Sequence, residues 1–594
     1  MHNVNHKGKN EFEFWAECGI FVWIKINHII IMKQIIECVP NYSEGRDKSV
    51  IDAIVAAISA VEGVKVLDVD PGEATNRTVV TFVGEPGPVC EAAFQGAAKA
   101  QELIDMRQHH GAHPRSGATD VLPLIPVAGI TLEECAELAR NLAQRLYKEL
   151  GIPCYCYEAA AFKPERKNLA VCREGEYEAL PKKMADPALK PDFGGEWNLT
   201  AQKAGATNVG ARNFLVAVNF NLNTTSTRRA MAVAFDVREK GRKAREGGSL
   251  TGKLLKDADG KQIWIPGTLK GCKAIGWYID EYGIAQVSMN ITDIDTTPLH
   301  VAFDEVCRAA AARGLRVTGA EIVGLVPKRV LIEAGKYYLT KQQRSLGISE
   351  KEIVNIAVKS MSLDDLKPFN PKEKVIEYLM ADEPHGLAQM TVEGFTRETA
   401  SESAAPGGGS ISACMGAFAA ALATMVANLS SHKRGWDERW KEFSDVAEEG
   451  QKLMDELLLL IDEDTAAFNR IMDVFSMPKG TEQEKAARAK ALEEATLYAA
   501  QVPLRTMEAS LKALPLALEM ARKGNPASAS DAGVAALAAV AGIKGARLNV
   551  RINCAGLTDK SPALPLLERA DEIVSKAECL EKQILEAVNN NIEL

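Results

Sequence analysis

The sequence predicts two α/β subdomains with mixed sheets, followed by an all-helical bundle domain. The first observation is that short apolar runs alternate with helical stretches from residue 32 to about 212. The second is that the same alternation returns between 213 and 360. The third is that strand signals vanish beyond 390, where long helical patterns follow one another. The length agrees with this division, because 594 residues are too many for one hydrophobic core.

The first subdomain is expected over 32–212. Its strands are expected at 34–39, 64–69, 78–83, 121–127 and 153–157, and its helices at 46–61, 88–100 and 132–150. The last of these helices has a glutamate-rich first turn and ends before Gly151, with Pro153 just beyond.

The second subdomain is expected over 213–360. We expect a strand at 214–222, a basic helix at 226–246, a strand pair at 273–279 and 285–291, a helix at 298–313 and a strand at 315–323. Proline and glycine turns then predict a linker at 361–389. The helical domain fills 390–594, with helices expected at 410–430, 436–475, 481–500, 502–523, 526–543 and 563–590.

Residues 1–31 differ from the rest of the chain. They include an apolar, aromatic stretch that charged residues interrupt, so it is a poor membrane span, and no small-residue cleavage site follows it. A clean strand pattern starts just after Met32. We therefore interpret 1–31 as an extension upstream of the folded protein.

Composition excludes some classes of function. A hydrophobic content of 46% and a charged content of 25% are those of an ordinary globular protein. The net charge of −9 argues against a nucleic-acid partner. The 12 cysteines are scattered without a CxxC pair, which predicts a reducing cytoplasm and no zinc site. Neither a membrane nor a metal is expected.

The loop from His109 to Gly117 is the most informative segment. It holds His109, His110 and His113 beside Arg115, between glycines. Imidazole can take and give a proton near neutrality, and arginine can clamp a carboxylate. The pattern indicates an acid/base site with an anion clamp. A zinc site is the competing interpretation, but no local cysteine completes a ligand set.

Two further segments carry candidates in the first subdomain. Asp68 and Asp70 end a predicted strand, where open sheets bind ligands, although Asp-Pro-Gly is also a common turn. The small residues at 204–211 would let backbone approach a flat ligand, or would form a linker.

The helical domain contains a triple glycine at 407–409 before a predicted helix. This is an anion site of the kind found at helix N-termini, or else a flexible hinge. It lacks the ending of a nucleotide P-loop.

Asp464 lies in the predicted helix 436–475, roughly 45° from the centre of its apolar stripe, so it faces the bundle core. Asp462 lies roughly 115° away and is expected to face water. Asp531 on a later helix is a candidate partner acid. For both Asp464 and Asp531 the alternative to catalysis is a salt bridge, for example to Arg470 or Arg505.

These motifs resemble known families. The segments 36–46, 68–72, 76–79, 113–115, 210–215 and 276–277 are similar to glutamate formiminotransferase. Segment 403–410, the acids at 462–464 and the helix start at 524–526 are similar to formiminotetrahydrofolate cyclodeaminase. Over about 32–594 the chain resembles the bifunctional formiminotransferase-cyclodeaminase family.

The resemblance implies two reactions. The first moves a formimino group from N-formimino-L-glutamate to N5 of tetrahydrofolate, and the second closes the product to 5,10-methenyltetrahydrofolate with release of ammonia. It also implies a step of histidine degradation, a preference for polyglutamylated folate, and a homo-oligomer built from dimers. By the same resemblance His113 is the catalytic histidine, Asp70 supports it, Asp464 is the ring-closing acid, and folate contacts lie within 195–212.

The full set of expected substrate-binding residues combines both arguments: Asn41, Asn76, Arg115, Gly195, Lys203, Gly205, Ala206, Thr207, Asn208, Gly210, Arg212, Gly408, Ser410 and Asp531. Two other functions remain open. The helical domain also resembles methenyltetrahydrofolate cyclohydrolases, and the chain could be a folate-binding scaffold without turnover.

Overall fold

The computed structural model describes residues 34–73, 76–111, 114–248, 252–380 and 386–592. The predicted extension at 1–31 lies outside the described residues. The chain divides between Phe214 and Leu215 into two compact units.

The first unit is built on a mixed sheet, as predicted. Its strands are β1 (Ile35–Cys38), β2 (Asn41–Tyr42), β3 (Val64–Gly72), β4 (Arg77–Gly84), β5 (Thr119–Ala128), β6 (Cys154–Glu158) and β7 (Thr207–Ala211). Strand β3 pairs with β4, and both β1 and β2 lie between β4 and β5 in antiparallel pairing. Strands β5, β7 and β6 then pair in parallel. The antiparallel half is reached by short turns, whereas the parallel half needs helical crossovers.

One face of this sheet is covered by three helices: α1 (Lys48–Ser59), α2 (Pro86–Leu103) and α3 (Leu132–Leu150). Helix α3 has the predicted bounds because both ends are capped. Thr131 and Glu134 form a reciprocal capping box, and Gly151 ends the helix at φ 69°. Short helices follow on the way to β7, at α4 (Leu169–Cys172), α5 (Leu180–Ala185) and α6 (Leu199–Ala204).

The second unit begins with a four-stranded sheet made of β8 (Val216–Leu222), β11 (Cys272–Ile279), β12 (Ile284–Ile291) and β13 (Val317–Val323). These strands lie in the order β11-β12-β8-β13. Strands β9 (Arg242–Lys243) and β10 (Trp264–Ile265) form a separate small pair. Helix α7 (Thr227–Val237) follows β8, and α8 (Leu299–Ala311) follows β12. This is the βαββαβ topology of ferredoxin-like domains.

The second sheet is antiparallel throughout rather than mixed. The reason lies in its connections. Each helical crossover connects two strands that run in the same direction but are not adjacent in the sheet. The strand that lies between them is antiparallel to both. The predicted helix 226–246 is also shorter than expected, because the chain turns at Gly241, φ 63°, to enter β9.

Helices α9 (Lys328–Lys341) and α10 (Glu350–Ser360) follow the second sheet, and the predicted linker at 361–389 is partly structured. It contains α11 (Pro371–Lys374) and α12 (Ile376–Met380). Val375 and Ile376 are fully buried, and Val375 forms a β-bridge with Val326. Apolar burial therefore holds this segment against the second sheet's domain.

The remaining chain is helical, as predicted. Its helices are α13 (Val392–Thr399), α14 (Gly408–Ser431), α15 (Trp440–Phe475), α16 (Glu482–Lys523), α17 (Ala529–Gly556) and α18 (Ala563–Ile592). The two helices expected at 481–500 and 502–523 form the single helix α16, with Pro503 and Pro515 inside it. A proline inside a helix costs about 3 kcal/mol, and burial of this helix against its neighbours offsets that cost.

Two helical segments of the bundle are long and apolar enough to span a membrane, at Gly408–Ser431 and Pro526–Gly556. More than half of each apolar window is buried inside the protein, at 61% and 56%. Core helices of a bundle have this character.

Candidate active sites

The sheet of the first unit aligns three predicted site residues in one row. A run of directly paired residues crosses five strands: Asp70, Val79, Asn41, Val121 and Asn208. Residues paired directly across strands point to the same face. Asp70, Asn41 and Asn208 therefore lie in line on one face. The alternate positions belong to the helix-covered core: Val80, Leu122 and Val209.

Arg212 lies on the same face, beyond the end of β7. Its backbone N–H donates to the Leu124 carbonyl, which places Arg212 level with Ile125 on β5. On the other side of Ile125, in direct register, is Glu37 of β1. Arg212 donates one hydrogen bond from its guanidinium, to the Asn213 carbonyl at 3.2 Å. This face therefore presents a carboxyl group and a guanidinium cation two rows from Asp70.

Several buried polar atoms near the histidine loop have no hydrogen-bond partner in the described part of the chain. They are Nδ1 of His109, Oγ of Ser116, Oγ1 of Thr119, Oγ1 of Thr207 and Oδ1 of Asn208. Buried polar atoms in native proteins almost always have a partner, which can be a ligand or a water. Their concentration beside one loop indicates a site for a polar ligand.

The first residues of the histidine loop are held by Asn76. Its side chain accepts from Gly45 N–H at 3.0 Å and donates to the His110 carbonyl at 3.1 Å, and its own carbonyl lies 2.9 Å from Nε2 of His109. Asn76 adopts φ 49°, a region that asparagine tolerates better than other side-chain-bearing residues. Asn76 is thus a buried structural clamp on the loop that leads to His113. His113 itself lies outside the described residues.

His109 is buried, and this burial lowers the pKa of its imidazole below the ordinary value. A neutral ring with Nε2–H donating to Asn76 fits these contacts. This side chain is suited to holding the loop.

The Arg115 guanidinium binds two glutamates of the protein, so these nitrogens are not free to bind a substrate carboxylate. Its buried guanidinium donates to Glu178 at 2.7 and 2.9 Å and to Glu176 at 2.9 Å. A buried guanidinium needs such partners to offset the loss of water. Both terminal nitrogens of Arg115 are thus engaged by acids of the protein, whereas the guanidinium of Arg212 donates among the described residues to the Asn213 carbonyl, which favours Arg212 as the substrate clamp.

The small residues expected to contact folate mostly serve packing. Residues Thr207–Ala211 form the buried strand β7. A Cβ at Gly205 would lie 2.2 Å from the Ser116 carbonyl oxygen, and one at Gly210 would lie 2.5 Å from the Tyr157 ring. Ala206 is fully buried and its N–H donates to the Ser116 carbonyl. The segment is therefore mostly a buried strand with close backbone contacts and not a linker, and its contact with folate stays a prediction.

Lys203 and Gly195 make contacts with residues outside the polar row. Lys203 donates through Nζ to the Glu102 carbonyl at 2.8 Å, at the end of α2. Gly195 is half-buried, and a Cβ added there would lie 3.6 Å from the Lys190 side chain.

The second site lies in the bundle, where α14 begins. The Asp464 carboxylate on α15 accepts a hydrogen bond from the Ser410 hydroxyl at 3.0 Å. Burial raises the pKa of Asp464 above its ordinary value, and hydrogen bonds from the Ser410 hydroxyl and backbone N–H offset part of that rise. No cation pairs with Asp464 among the described residues, so the salt-bridge alternative is excluded for this acid.

Gly409 allows the Asp464 carboxylate to lie in close contact with the backbone of the first turn of α14. A Cβ at Gly409 would lie 2.0 Å from Oδ1 of Asp464, a distance that real atoms cannot reach. Gly408 is exposed beside the Asn549 amide, where a Cβ would have 3.3 Å. The triple glycine is therefore a close-contact segment that brings a helix N-terminus onto a half-buried acid, and not merely a hinge.

The salt bridge that was the alternative for Asp464 is formed instead by the neighbouring acid, Glu463. Glu463 accepts from Arg505 at 2.7 Å and forms a short hydrogen bond with the Tyr498 hydroxyl. Burial alone would raise the pKa of Glu463, but these hydrogen bonds bring it below the ordinary value. Arg470 lies over the Tyr498 ring at 4.3 Å. The pair Glu463–Arg505 was missed as a site feature, since nothing in the sequence brings positions 463 and 505 together.

Asp462 does not simply face water. It is half-buried and accepts from the Leu387 N–H at 2.5 Å. The segment before α13 covers this face of α15, which helical periodicity alone could not reveal.

Asp531 does not join Asp464 within one chain. Asn549, which lies beside Gly408, is 18 residues further along α17, and this corresponds to roughly 27 Å of helix. Asp531 sits near the other end of the bundle, where the Asn525 N–H donates to Ser430 at the end of α14. Within one protomer, Asp531 and Asp464 therefore lie near opposite ends of α17.

Within the described ranges, no group of three or more histidine, cysteine, aspartate or glutamate side chains could hold a metal ion. The two sites instead offer acid/base groups and unpaired polar atoms.

Comparison with known proteins matches three successive segments of the chain to sequence profiles. The sequence profile described as "Formiminotransferase domain, N-terminal subdomain" matches 35–212, "Formiminotransferase domain" matches 217–381, and "Formiminotransferase-cyclodeaminase" matches 391–572.

Three relatives align with different parts of the chain. The formimidoyltransferase-cyclodeaminase of Gallus gallus is 42% identical over 89% of this chain and 94% of its own length. The glutamate formimidoyltransferase of Streptococcus pyogenes is 40% identical over 52% of this chain and 94% of its own. The methenyltetrahydrofolate cyclohydrolase of Methylorubrum extorquens is 38% identical over 34% of this chain and 97% of its own. With identity of this extent along almost its whole length, the chain belongs to the formimidoyltransferase-cyclodeaminase family.

Proposed function

We propose that this chain is a bifunctional enzyme that transfers the formimino group of N-formimino-L-glutamate to N5 of tetrahydrofolate and then closes the product to 5,10-methenyltetrahydrofolate. The observation that carries the proposal is the half-buried Asp464 at the N-terminus of α14, which pairs with no cation among the described residues. A carboxyl whose pKa is raised by burial can supply the proton that departing ammonia requires.

The transfer reaction belongs to the first unit. N5 of tetrahydrofolate attacks the amidine carbon and loses its proton, and the glutamate nitrogen leaves when it gains one. His113 performs both proton transfers, which contribute about 10²–10⁴-fold in rate. Asp70 lies in the polar row and stabilises the cationic amidinium that develops. Arg212 holds a substrate carboxylate.

Ring closure belongs to the bundle. N10 adds to the formimino carbon, and its proton passes to the imino nitrogen, which becomes an amino group. Asp464 then protonates that amino group, the carbon–nitrogen bond breaks, and ammonia leaves as the methenyl cation forms. The reaction is thus an ammonia-lyase reaction that needs one proton from an acid.

The deciding experiment supplies the full chain with formiminoglutamate and tetrahydrofolate and follows methenyl absorbance and ammonia together. Equal amounts of both products support the proposal. Methenyltetrahydrofolate cyclohydrolase is the second candidate for the bundle, favoured by the similarity to the Methylorubrum extorquens protein. In that case the methenyl absorbance would be consumed by water without ammonia. A folate-binding scaffold would show neither product.

We also propose a homo-oligomer in which a second copy covers α14 and α17. Both helices expose apolar stripes, with Phe418 at 55% and Ile552 at 70% exposure. On α14 the exposed positions recur as 415, 418, 425 and 429, which is the heptad spacing of a helix-packing seam. A Phe418→Glu variant should sediment as a smaller species than the wild type, and an unchanged sedimentation coefficient contradicts the interface.

The proposed reactions also bear on the pathway, the form of the folate, the need for a metal and the location of the protein. The substrates place the enzyme in histidine degradation and one-carbon metabolism, and polyglutamylated folate is the expected form of the co-substrate. Acid/base groups alone supply the chemistry, so no metal is required. We place the protein in the cytoplasm, in keeping with the eleven free cysteines of the described residues.

A further inference from the structure

Glu37 is a buried acid that the reaction described above does not use. Its side chain is 4% exposed on the same sheet face as Asp70. Its direct neighbours in register, Val83 and Ile125, are fully buried apolar residues. No hydrogen bond to the Glu37 carboxyl is formed within the described part of the chain. A buried acid that makes no hydrogen bond to the described residues is costly, and a bound ligand can offset that cost.

Arg212 is the charged group that faces Glu37. The neighbouring strands β4 and β5 present only Val83 and Ile125 at this level, and Cys38 of the same strand belongs to the opposite, helix-covered face. Burial raises the pKa of Glu37 to about 7, and the positive charge of Arg212 acts in the lowering direction. Glu37 is therefore balanced between its two protonation states near neutral pH.

We propose that Glu37 takes up one proton when a carboxylate of the substrate binds at Arg212, which makes it a specificity-determining residue for the anionic substrate. The inference rests on the proposed function, in which that substrate is a dicarboxylate. A bound carboxylate neutralises Arg212 and adds a like charge beside Glu37, and both effects favour the protonated acid. The protonated carboxyl can donate a hydrogen bond to the substrate, whereas the ionised one would repel it.

The expected pH dependence has a definite sign. Below pH 7 most Glu37 is already protonated, so binding of the anion costs no further proton. Above pH 7 each binding event must take a proton from solvent, and the dissociation constant rises about tenfold per pH unit. Affinity is thus lost as pH rises.

Calorimetry of the full-length wild type tests this without turnover. L-glutamate, which carries the same carboxylates, is titrated in two buffers of different ionisation enthalpy at pH 6 and pH 8. We expect uptake of close to one proton per bound anion at pH 8 and close to none at pH 6. Absence of proton uptake at pH 8, or absence of binding, overturns the proposal. Since turnover of formiminoglutamate is measured separately, failure here leaves the proposed function standing.

A variant pair sharpens the test. Glu37→Gln keeps the shape and a hydrogen-bond donor but cannot titrate, so its inhibition constant for L-glutamate should stay within twofold between pH 6 and 8.5. Glu62→Gln, at an exposed turn of the same unit, should keep the wild-type slope. A Glu37→Gln protein that melts like the wild type and still loses affinity above pH 7 contradicts the assignment. If Glu37→Gln does not fold, the wild-type calorimetry decides alone.

Discussion

The Ser410 hydroxyl lies 3.0 Å from Oδ2 of Asp464 and joins the first turn of α14 to the middle of α15. This contact gives the bundle a half-buried acid beside the positive end of a helix dipole. Burial raises the pKa of Asp464, and the Ser410 donors limit that rise. This contact can be tested by removing the Ser410 hydroxyl or by adding a methyl group at Gly409.

Ser410→Ala should shift the pH profile of ring closure to higher pH. The hydroxyl stabilises the ionised carboxylate, so its removal raises the pKa of Asp464 further. Because the protonated acid is the active form, the alkaline limb of the ring-closure rate moves up. Ser412→Ala is the matched control, since that hydroxyl donates to the Gly408 carbonyl and not to the acid. A profile that moves to lower pH in Ser410→Ala would contradict the assigned role.

Gly409→Ala should reduce ring closure at least tenfold and leave the transfer rate within twofold. A methyl group there has only 2.0 Å to Oδ1 of Asp464, so the carboxylate must move. Gly407→Ala is the control, because its nearest neighbour would be 3.9 Å away. Steady-state rates of ammonia release measure the effect, and equal losses in both variants would show that loop flexibility matters instead of contact.

His113→Ala should lower the transfer rate by about 10²–10⁴-fold, the usual worth of general acid/base catalysis. Ring closure of added 5-formiminotetrahydrofolate should proceed at the wild-type rate. His110→Ala, whose side chain is exposed in the same loop, should stay within threefold on both reactions. Loss of ring closure in His113→Ala would mean that the two sites are not independent.

Arg115 and Arg212 should separate stability from substrate binding. Arg115→Lys breaks the two-pronged contact with Glu178 and should cost roughly 1–3 kcal/mol of unfolding free energy, with KM for formiminoglutamate within twofold. Arg212→Gln should raise that KM at least tenfold, with little change in melting temperature. Thermal unfolding and initial rates measure both, and the reverse pattern would restore Arg115 as the clamp.

Much of the fold could be predicted from the sequence because its signals are local. The bounds of α3 follow from a capping box and a terminal glycine, and the inward orientation of Asp464 follows from helical periodicity. The continuity of α16 through Pro503 could not be predicted in this way, because burial against neighbouring helices outweighs the local cost of proline.

The candidate sites show the same limit. Asn41, Asp70 and Asn208 were each predicted as separate candidates, but their alignment in one row depends on strand register, which involves residues far apart in the chain. The surroundings of Arg115 and Asp531 could not be predicted for a related reason. Only the folded structure shows that Glu176 and Glu178 occupy the first, and that a helix length separates the second from Asp464.

The catalytic role of Asp464 is tested most directly by product analysis of Asp464→Asn in the full-length chain supplied with formiminoglutamate and tetrahydrofolate. The substitution keeps the size of the side chain and its hydrogen bond with Ser410 but removes the transferable proton. We expect 5-formiminotetrahydrofolate to accumulate at the wild-type transfer rate while ammonia release falls by about 10²–10⁴-fold. Ammonia release at the wild-type rate, or loss of transfer as well, would contradict the assignment of ring closure to Asp464 acting independently of the first site.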